Sequence, residues 1–391
     1  MTTRFALTPL TVITLAALTA LTGTAHAQTA PLKVGLMLPA TGTFAALGDA
    51  IERGFKLHVQ EQGGTLSGRS IQYFKVDDES DPSKAIDNVN KLIKRDQVDV
   101  LVGTVHSGVA LAMARAARES NTLLIVPNAG AGDITGAQCA PNIFRSSFSN
   151  WQPGYAAGVV AAGKGYKRAM TLTWSYAAGS ETVKGFTEAF EKGGGKVMKD
   201  LSLPFPGVEF QALLTEIASQ KPDVVFAFFA GGAGAKFLRD YDAAGLKKSV
   251  PLVASGFVTD GTLEAAGPSG QGVLSTLHYA DNLDTPRNNA FRKSFALTYK
   301  ANADVYAVQG YDAAQMLGAG LAAVKGDFKQ REALLAAMGK AVIDSPRGKI
   351  SLSPQRNPVQ DIFLREAKGQ NNEFRAVAVK ALADPGRGCK I

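Results

Sequence analysis

The residue types that most often perform chemistry in proteins are few in this chain. After residue 27 the sequence keeps three histidines, His58, His106 and His278, and none has the spacing to a partner that a zinc site needs. It contains no G-x-S-x-G turn and no H-E-x-x-H helix, and the glycines of 232–237 fit neither a dinucleotide nor a phosphate-loop pattern. We therefore expect a protein that is not an enzyme and that uses no metal and no cofactor.

The N-terminus has the features of a secretory signal. Arg4 precedes an apolar run from Leu10 to Leu21, and the small-residue sequence Ala25-His26-Ala27 follows, which predicts a signal peptide over residues 1–27. A run of about twelve residues is shorter than the roughly 20 that a membrane helix needs, so a membrane anchor is disfavoured. The residue directly after Ala27 is Gln28 and not the cysteine that a lipid anchor needs there. The sequence predicts a protein of the periplasm of a Gram-negative bacterium.

The two cysteines, Cys139 and Cys389, lie far apart in the sequence. Export to an oxidising compartment favours a single disulfide between them, which would hold the C-terminal tail. Two unpaired thiols are the alternative. Catalysis by either cysteine is disfavoured because no pattern of a thiol enzyme accompanies them.

The composition is that of a folded protein with two domains. Hydrophobic residues make up 46% and charged residues 19% of the chain, and one domain takes on the order of 150 residues. The net charge of +8 is spread without blocks of like charge, which is compatible with anionic ligands and equally with solubility alone. No nucleic-acid motif is present.

Short apolar runs alternate with helical patterns, which predicts α/β architecture with parallel sheets covered by helices. The predicted strands are 33–38, 71–76, 98–102, 123–126, 169–173, 224–229, 252–254 and 273–277. A helix over Pro82–Lys94 is predicted with Asp81 as N-cap, and other helices are expected to begin near Asp49 and after Ser107.

Ligands of open parallel sheets bind beyond the carboxyl ends of the strands. Three junctions there are rich in small residues, namely 39–48, 103–108 and 127–132. Ser107 is expected to be an N-cap at the start of a helix, where free N–H groups and the helix dipole favour an anion such as a carboxylate. The alternatives are that Ser107 only caps its helix and that His106 only packs or is solvated.

These junctions, the turn at 127–130 and the segments Phe237-Leu238-Arg239 and Ala243–Leu246 together resemble the leucine-isoleucine-valine-binding protein family. The resemblance covers essentially the whole chain after the signal. It implies two doubly wound parallel-sheet lobes joined by three crossover strands, with the ligand between them. The implied lobes are residues 31–147 with 281–354, and residues 148–280 with 355–391.

The resemblance also implies a ligand site. In this family a serine and the next strand-end turn hold the ligand carboxylate, which here are Ser107, Asn128 and Gly130, and an aromatic residue of the second lobe, here Tyr176, covers the ligand. The other expected ligand contacts are Phe44, Leu47, His106, Ala129, Ala230, Phe257 and Tyr306. Phe229 also follows a strand end, and core packing explains it as well as ligand contact does.

One departure from the family bears on the ligand. Amino-acid-binding members place an acidic side chain near Ser255-Gly256-Phe257, and this sequence has none there. A buried ammonium group without a counter-charge costs several kcal/mol, so the resemblance points to the branch that binds aromatic carboxylates. Trp151 adds to the aromatic residues near the expected cleft. Branched-chain amino acids remain the alternative if Asp260 or Glu181 supplies the charge.

The implied function is that of the periplasmic receptor of an ABC importer, a monomer that closes around a small carboxylate and delivers it to the permease. A sensory receptor domain built on the same two lobes is the second alternative.

Overall fold

The structure is a computed structural model that describes residues 1–3 and 30–391. The predicted signal peptide lies, apart from residues 1–3, outside the described residues. Within the described part, no helix combines the length and the apolar character that crossing a membrane requires.

Helices and strands alternate through most of residues 31–391. The helices are α1 (Ala45–Glu61), α2 (Ala85–Asn90), α3 (Ser107–Ser120), α4 (Trp151–Gly163), α5 (Ala177–Lys192), α6 (Gln211–Gln220), α7 (Gly232–Ala243), α8 (Leu246–Ser249), α9 (Leu263–Ala266), α10 (Pro286–Tyr299), α11 (Val305–Ala323) and α12 (Arg331–Lys340). The strands are β1 (Leu32–Leu38), β2 (Thr65–Leu66), β3 (Arg69–Asp77), β4 (Val100–Val102), β5 (Leu123–Val126), β6 (Ile143–Arg145), β7 (Arg168–Trp174), β8 (Lys196–Leu203), β9 (Val224–Phe228), β10 (Leu252–Ser255), β11 (Leu274–Leu277), β12 (Ile343–Ser345), β13 (Gly348–Leu352), β14 (Pro358–Lys368) and β15 (Asn371–Leu382).

The strands form two sheets, one in each of two lobes. The first has the order β2-β3-β1-β4-β5-β6 and is parallel except for the β2–β3 pair. The second has the order β12-β13-β14-β11-β10-β9-β7-β8, with β15 paired to β14. Its strands β7 to β11 are parallel, and β12 to β15 add antiparallel pairs at one side. The predicted α/β class is confirmed, although the antiparallel strands were not predicted.

Buried parallel strands explain why the sequence located so many strands. Every residue of β4, β5 and β9 is buried, because helices cover both faces of a parallel sheet, and such strands have continuous apolar sequences. The predicted range 123–126 matches β5, and the other predicted ranges overlap their strands within about two residues.

The chain changes direction across each sheet at one place. In the first sheet β3 lies on one side of β1 and β4 on the other, and in the second sheet β8 and β9 flank β7 in the same way. The carboxyl ends of strands on either side of such a switch point form a crevice. The loops that follow β1 and β4, and those that follow β7 and β9, therefore line the two faces of a cleft.

Two buried arginines hold the segments that connect the lobes. Arg145 Nε donates to Asn357 Oδ1 at 2.9 Å, and Arg347 Nη1 donates to the Ser147 carbonyl at 2.8 Å. Arg347 also pairs with buried Asp312 at 2.9 Å. Because these partners lie far apart in sequence, the contacts fix the connecting segments relative to each other. The lobe boundaries given above remain a prediction.

Two helix predictions need correction. The first helix begins at Ala45 and not near Asp49, because the Gly48 N–H already donates to the Phe44 carbonyl at 3.0 Å, as in the first turn of a helix. The predicted helix 82–94 is divided into a 3-10 turn (Pro82–Lys84), α2, and a π turn (Lys91–Arg95). Its predicted cap is confirmed, because Asp81 Oδ1 accepts from the Ser83 N–H at 2.8 Å.

The C-terminal tail is tied to the first lobe by a covalent bond. Cys139 and Cys389 form a disulfide with 5.5 Å between their Cα atoms. The pairing that the sequence favoured is therefore present, and neither cysteine is a free thiol.

Candidate functional site

A small cavity lies at the meeting of the four strand-end loops. The first lobe and the crossover segment contribute Phe44, Leu47, Val105, Ser107, Asn128, Gly130, Phe148 and Asn150, the second lobe contributes Tyr176, Ala178, Phe228, Ala230 and Phe257, and α11 contributes Tyr306.

The structure brings together all of the predicted contact residues except two. His106 and Ala129 are buried behind the cavity wall and do not line it. Trp151 packs against Tyr155 with ring centroids 4.5 Å apart and also lies outside the cavity. Phe229 is a core residue, since it is fully buried against Trp174 and Phe237.

The prediction that Ser107 caps its helix is wrong by one residue. His106 is the N-cap of α3, and its Nδ1 accepts from the Gly108 N–H at 3.1 Å. Ser107 is the first helical residue and is 1% exposed. Its hydroxyl is not used for capping. Ser107 lines the cavity at the positive end of a helix of 14 residues, where an anion is stabilised.

His106 has a structural role in the wall. Its ring stacks on Tyr176 of the second lobe, with centroids 4.7 Å apart and planes 20° apart, and it meets the edge of Phe205 at 4.7 Å. Burial lowers the pKa of His106 to about 4, although Asp81 opposes this shift. The ring is therefore neutral at pH 7, as its role as an acceptor from Gly108 requires.

Neutral hydrogen-bonding groups surround the helix end. Asn150 Nδ2 donates to Ser107 Oγ at 3.3 Å, and the Asn150 backbone N–H donates to the Gly130 carbonyl at 2.8 Å. A Cβ on Gly130 would lie 2.2 Å from Asn150 Oδ1, so only glycine permits this approach. Asn128 Nδ2 donates to Gln309 Oε1 at 2.7 Å, which fixes the Asn128 amide in the wall.

Six of the lining residues are aromatic. Phe257 lies at the centre of one group, with its ring centroid 4.8 Å from Phe148, 5.9 Å from Tyr306 and 6.3 Å from Phe228. The Tyr306 hydroxyl is buried and has no hydrogen-bond partner among the described residues. The walls therefore offer apolar aromatic surface, and one buried hydroxyl is left for a ligand to pair with.

None of the described residues that line the cavity is charged. Asp260 is buried elsewhere in an ion pair with Arg365 at 2.7 Å. Glu181 lies behind Asn150, where its Oε2 accepts from Asn150 Nδ2 at 2.8 Å. Asp260 and Glu181, the two candidates for balancing a ligand ammonium, therefore do not line the cavity.

The sequence did not identify five of the lining residues: Val105, Phe148, Asn150, Ala178 and Phe228. Val105, Ala178 and Phe228 are neighbours of predicted residues in the same junctions, so the strand ends already pointed to them. Phe148 and Asn150 lie in the segment that crosses between the lobes. No local pattern marks this segment, because its place is set by the two sheets that it connects.

A small, uncharged cavity between two α/β lobes, at the switch points of both sheets, defines a protein that binds a small molecule by enclosing it. The comparison with protein families agrees, since the model described as "Periplasmic binding protein" matches residues 31–372. The chain belongs to the periplasmic binding protein family.

Curated and solved relatives cover nearly the whole chain. "Leu/Ile/Val-binding protein homolog 6" of Brucella abortus (strain 2308) is 29% identical over 98% of both chains. The solute-binding protein of an ABC transporter from R. palustris, solved in complex with benzoate, is 54% identical with a TM-score of 0.90, over 92% of this chain and 100% of that one. A second such protein, from Rhodopseudomonas palustris BisB5 in complex with 3,4-dihydroxybenzoic acid, is 31% identical with a TM-score of 0.85, over 91% and 99%.

Proposed function

We propose that this protein is the periplasmic solute-binding component of an ABC importer and that its ligand is a benzoate-like aromatic carboxylate. The observation that carries the proposal is the combination of an uncharged, aromatic-walled cavity with a helix N-terminus that faces into it. Such a cavity suits a ligand with one anionic end and one flat apolar end.

The anionic end is assigned to the start of α3. The Ser107 hydroxyl accepts from Asn150, which leaves its own proton to donate to a ligand oxygen. The first-turn N–H groups and the helix dipole add to the attraction. Charge-assisted hydrogen bonds of this kind are stronger than neutral ones, so neutral groups suffice to hold a carboxylate.

The apolar end is assigned to the aromatic walls. A benzene ring can pack among Phe257, Phe148 and Phe228, and such aromatic pairs contribute roughly 0.5–1.5 kcal/mol each beyond their buried area. An amino acid would bring an ammonium group into a cavity without an acidic lining residue, which costs several kcal/mol. The Tyr306 hydroxyl gives a ring hydroxyl a partner, so hydroxybenzoates are compatible ligands.

The relatives support the same class of ligand. The R. palustris protein that is 54% identical was solved with benzoate, and two more distant solute-binding proteins were solved with 3,4-dihydroxybenzoic acid and 4-hydroxybenzoate. Solute-binding proteins of ABC transporters are receptors that make and break no bonds. We extend that role to this chain.

Transport follows from closure of the lobes. A ligand that touches both lobes stabilises the closed form, which a permease can then distinguish from the open one. The lobes in this proposal are residues 31–147 with 281–354 and residues 148–280 with 355–391. In this proposal the predicted signal peptide exports the protein to the periplasm.

Binding calorimetry of the purified protein tests the ligand class. The panel is benzoate, 4-hydroxybenzoate, leucine and benzamide, where benzamide keeps the ring of benzoate but lacks its charge. We expect benzoate to bind and to be favoured over leucine and benzamide by at least about 100-fold in Kd, or about 2.8 kcal/mol. Binding of leucine as tightly as benzoate would overturn the proposal.

A further inference from the structure

A chain of hydrogen bonds leads away from the cavity to a carboxylate that does not line it. One hydrogen of the Asn150 amide reaches Ser107 Oγ at 3.3 Å, and the other reaches Glu181 Oε2 at 2.8 Å. The same Oε2 accepts from the Gly132 backbone N–H at 3.0 Å. In this network only Asn150 lies between Glu181 and Ser107, and Ser107 is the residue assigned to the ligand carboxylate.

The geometry of Asn150 depends on this carboxylate. Asn150 is 3% exposed, so its orientation is set by protein partners and not by water. Its bond to Glu181 is shorter than its bond to Ser107, at 2.8 Å against 3.3 Å, which makes Glu181 the stronger of the two anchors. When Asn150 donates to Ser107 Oγ, the serine hydroxyl is left to act as a donor toward the cavity.

Glu181 also joins the two lobes. It lies on α5 of the second lobe, whereas Gly132 follows β5 of the first lobe and Asn150 lies in the segment between them. The contact to the Gly132 N–H therefore forms when the lobes are together. Burial raises the pKa of Glu181, and the hydrogen bonds from Asn150 and Gly132, together with the charge of Arg145, oppose this shift.

A direct role as counter-charge for the ligand does not fit this arrangement. Glu181 lines a neighbouring cleft with Gly132, Trp151 and Lys184, and not the cavity described above. As an anion it would repel a ligand carboxylate. Any contribution that it makes to carboxylate binding must pass through the groups that it holds.

We propose that Glu181 is a positioning residue for ligand capture, which fixes Asn150 so that Ser107 presents its proton to the ligand carboxylate, and which joins the lobes through Gly132. This role rests on the proposed function only in that the ligand carries a carboxylate. It applies to benzoate and to leucine alike.

A double-mutant cycle tests the proposal with benzoate, and with leucine if the wild type prefers it. The variants are Glu181→Ala, Ser107→Ala, the double variant, and Glu181→Gln. Since one oxygen of Glu181 accepts both hydrogen bonds, glutamine can keep them and lose only the charge. Glu188→Ala is the matched control, because it removes a carboxylate from the same helix whose hydrogen bond, accepted from Trp151 Nε1 at 3.0 Å, does not involve Asn150 or Gly132.

We expect Glu181→Ala and Ser107→Ala each to raise Kd about tenfold, as loss of a hydrogen bond does, and the double variant to be little worse than either one. Glu181→Gln should recover most of the affinity, and Glu188→Ala should bind as the wild type does. Melting temperatures without ligand separate these effects from misfolding.

Additive losses in the double variant, or unchanged binding in Glu181→Ala, would overturn the positioning role and leave the proposed function intact. Tight leucine binding together with a non-additive cycle would overturn the ligand class and support the positioning role. A wild type that binds neither carboxylate would overturn both.

Discussion

At the scale of single residues, a shift of one position in a helix cap decides what Ser107 can do. A serine that caps a helix uses its oxygen as an acceptor for its own backbone. In this protein His106 takes that role, and Ser107, which follows it, lines the cavity. The serine is therefore available to a ligand, and its loss should affect binding more than folding.

Ser107→Ala should raise the Kd for benzoate about tenfold and leave the free energy of unfolding within about 0.5 kcal/mol of the wild type. Thr285→Ala provides the opposite case, because Thr285 Oγ1 is a true N-cap that accepts from the Asn288 N–H. It should lower the free energy of unfolding by about 1 kcal/mol and leave Kd unchanged. Urea unfolding measures the stability of both variants, and calorimetry measures their Kd for benzoate. If Ser107→Ala is as destabilised as Thr285→Ala, Ser107 acts mainly in folding.

Gly130 makes room for Asn150, and Gly132 in the same turn does not have this constraint. A Cβ at position 130 would lie 2.6 Å from the Asn150 backbone nitrogen, whereas one at 132 would lie 3.7 Å from Glu181 Oε1. Gly130→Ala should thus displace Asn150 and weaken benzoate binding by about 100-fold, on the scale of a broken buried network. Gly132→Ala should bind within about threefold of the wild type. Equal losses in the two variants would contradict this account of the turn.

At the scale of elements, the sequence predicted best those that are buried on both faces. β5 and β9 are continuous apolar runs between turn residues, and α3 begins at a junction rich in glycine. β8 was missed because about half of its residues are exposed, which breaks the apolar run. β14 and β15 were missed because their long antiparallel pairing joins segments that local periodicity does not connect.

The candidate site shows the same limit of prediction from local sequence patterns. Residues at strand ends, such as Ser107 and Tyr176, could be predicted, because the carboxyl edge of a parallel sheet is where ligands bind. Asn150 could not, because it belongs to a crossover segment and its contacts with Ser107 and Glu181 exist only once both lobes are assembled.

The disulfide acts at this scale as well, because it ties the segment after β15 to the first lobe across 250 residues of sequence. Replacing both Cys139 and Cys389 with serine should lower the free energy of unfolding by about 2–4 kcal/mol, mainly by freeing the unfolded chain. The Kd for benzoate should not change, since neither cysteine lines the cavity. Unfolding curves with and without reductant measure the first effect. Equal stability of the reduced and oxidised protein would show that the bond does not constrain the chain.

At the scale of the whole molecule, the lobes meet through aromatic rings. His106 and Phe44 of the first lobe contact Phe205 of the second, with centroids 4.7 Å and 5.4 Å apart, and His106 stacks on Tyr176. Separation of the lobes would expose His106 to water. Its pKa, about 4 with the lobes in contact as in this structure, would then move toward 6.5, the value of an unperturbed histidine.

Acid should therefore favour the open form. Between pH 6.5 and 4 the open form binds the extra proton at His106 and the closed form does not, so lowering the pH through this window stabilises the open form and weakens ligand binding. His106→Asn is the matched control, because asparagine can cap α3 and does not titrate. The ratio of wild-type Kd to His106→Asn Kd for benzoate should rise from pH 7 to pH 4.5. A constant ratio would show that His106 does not become more exposed on opening.

The central claim is that one cavity between the lobes encloses an aromatic carboxylate. A crystal structure of the protein with benzoate tests it most directly. We predict that the carboxylate lies within hydrogen-bond distance of Ser107 at the start of α3, with the ring packed against Phe257 and its aromatic neighbours. A benzoate bound with its carboxylate away from α3, or bound outside this cavity, would contradict the account.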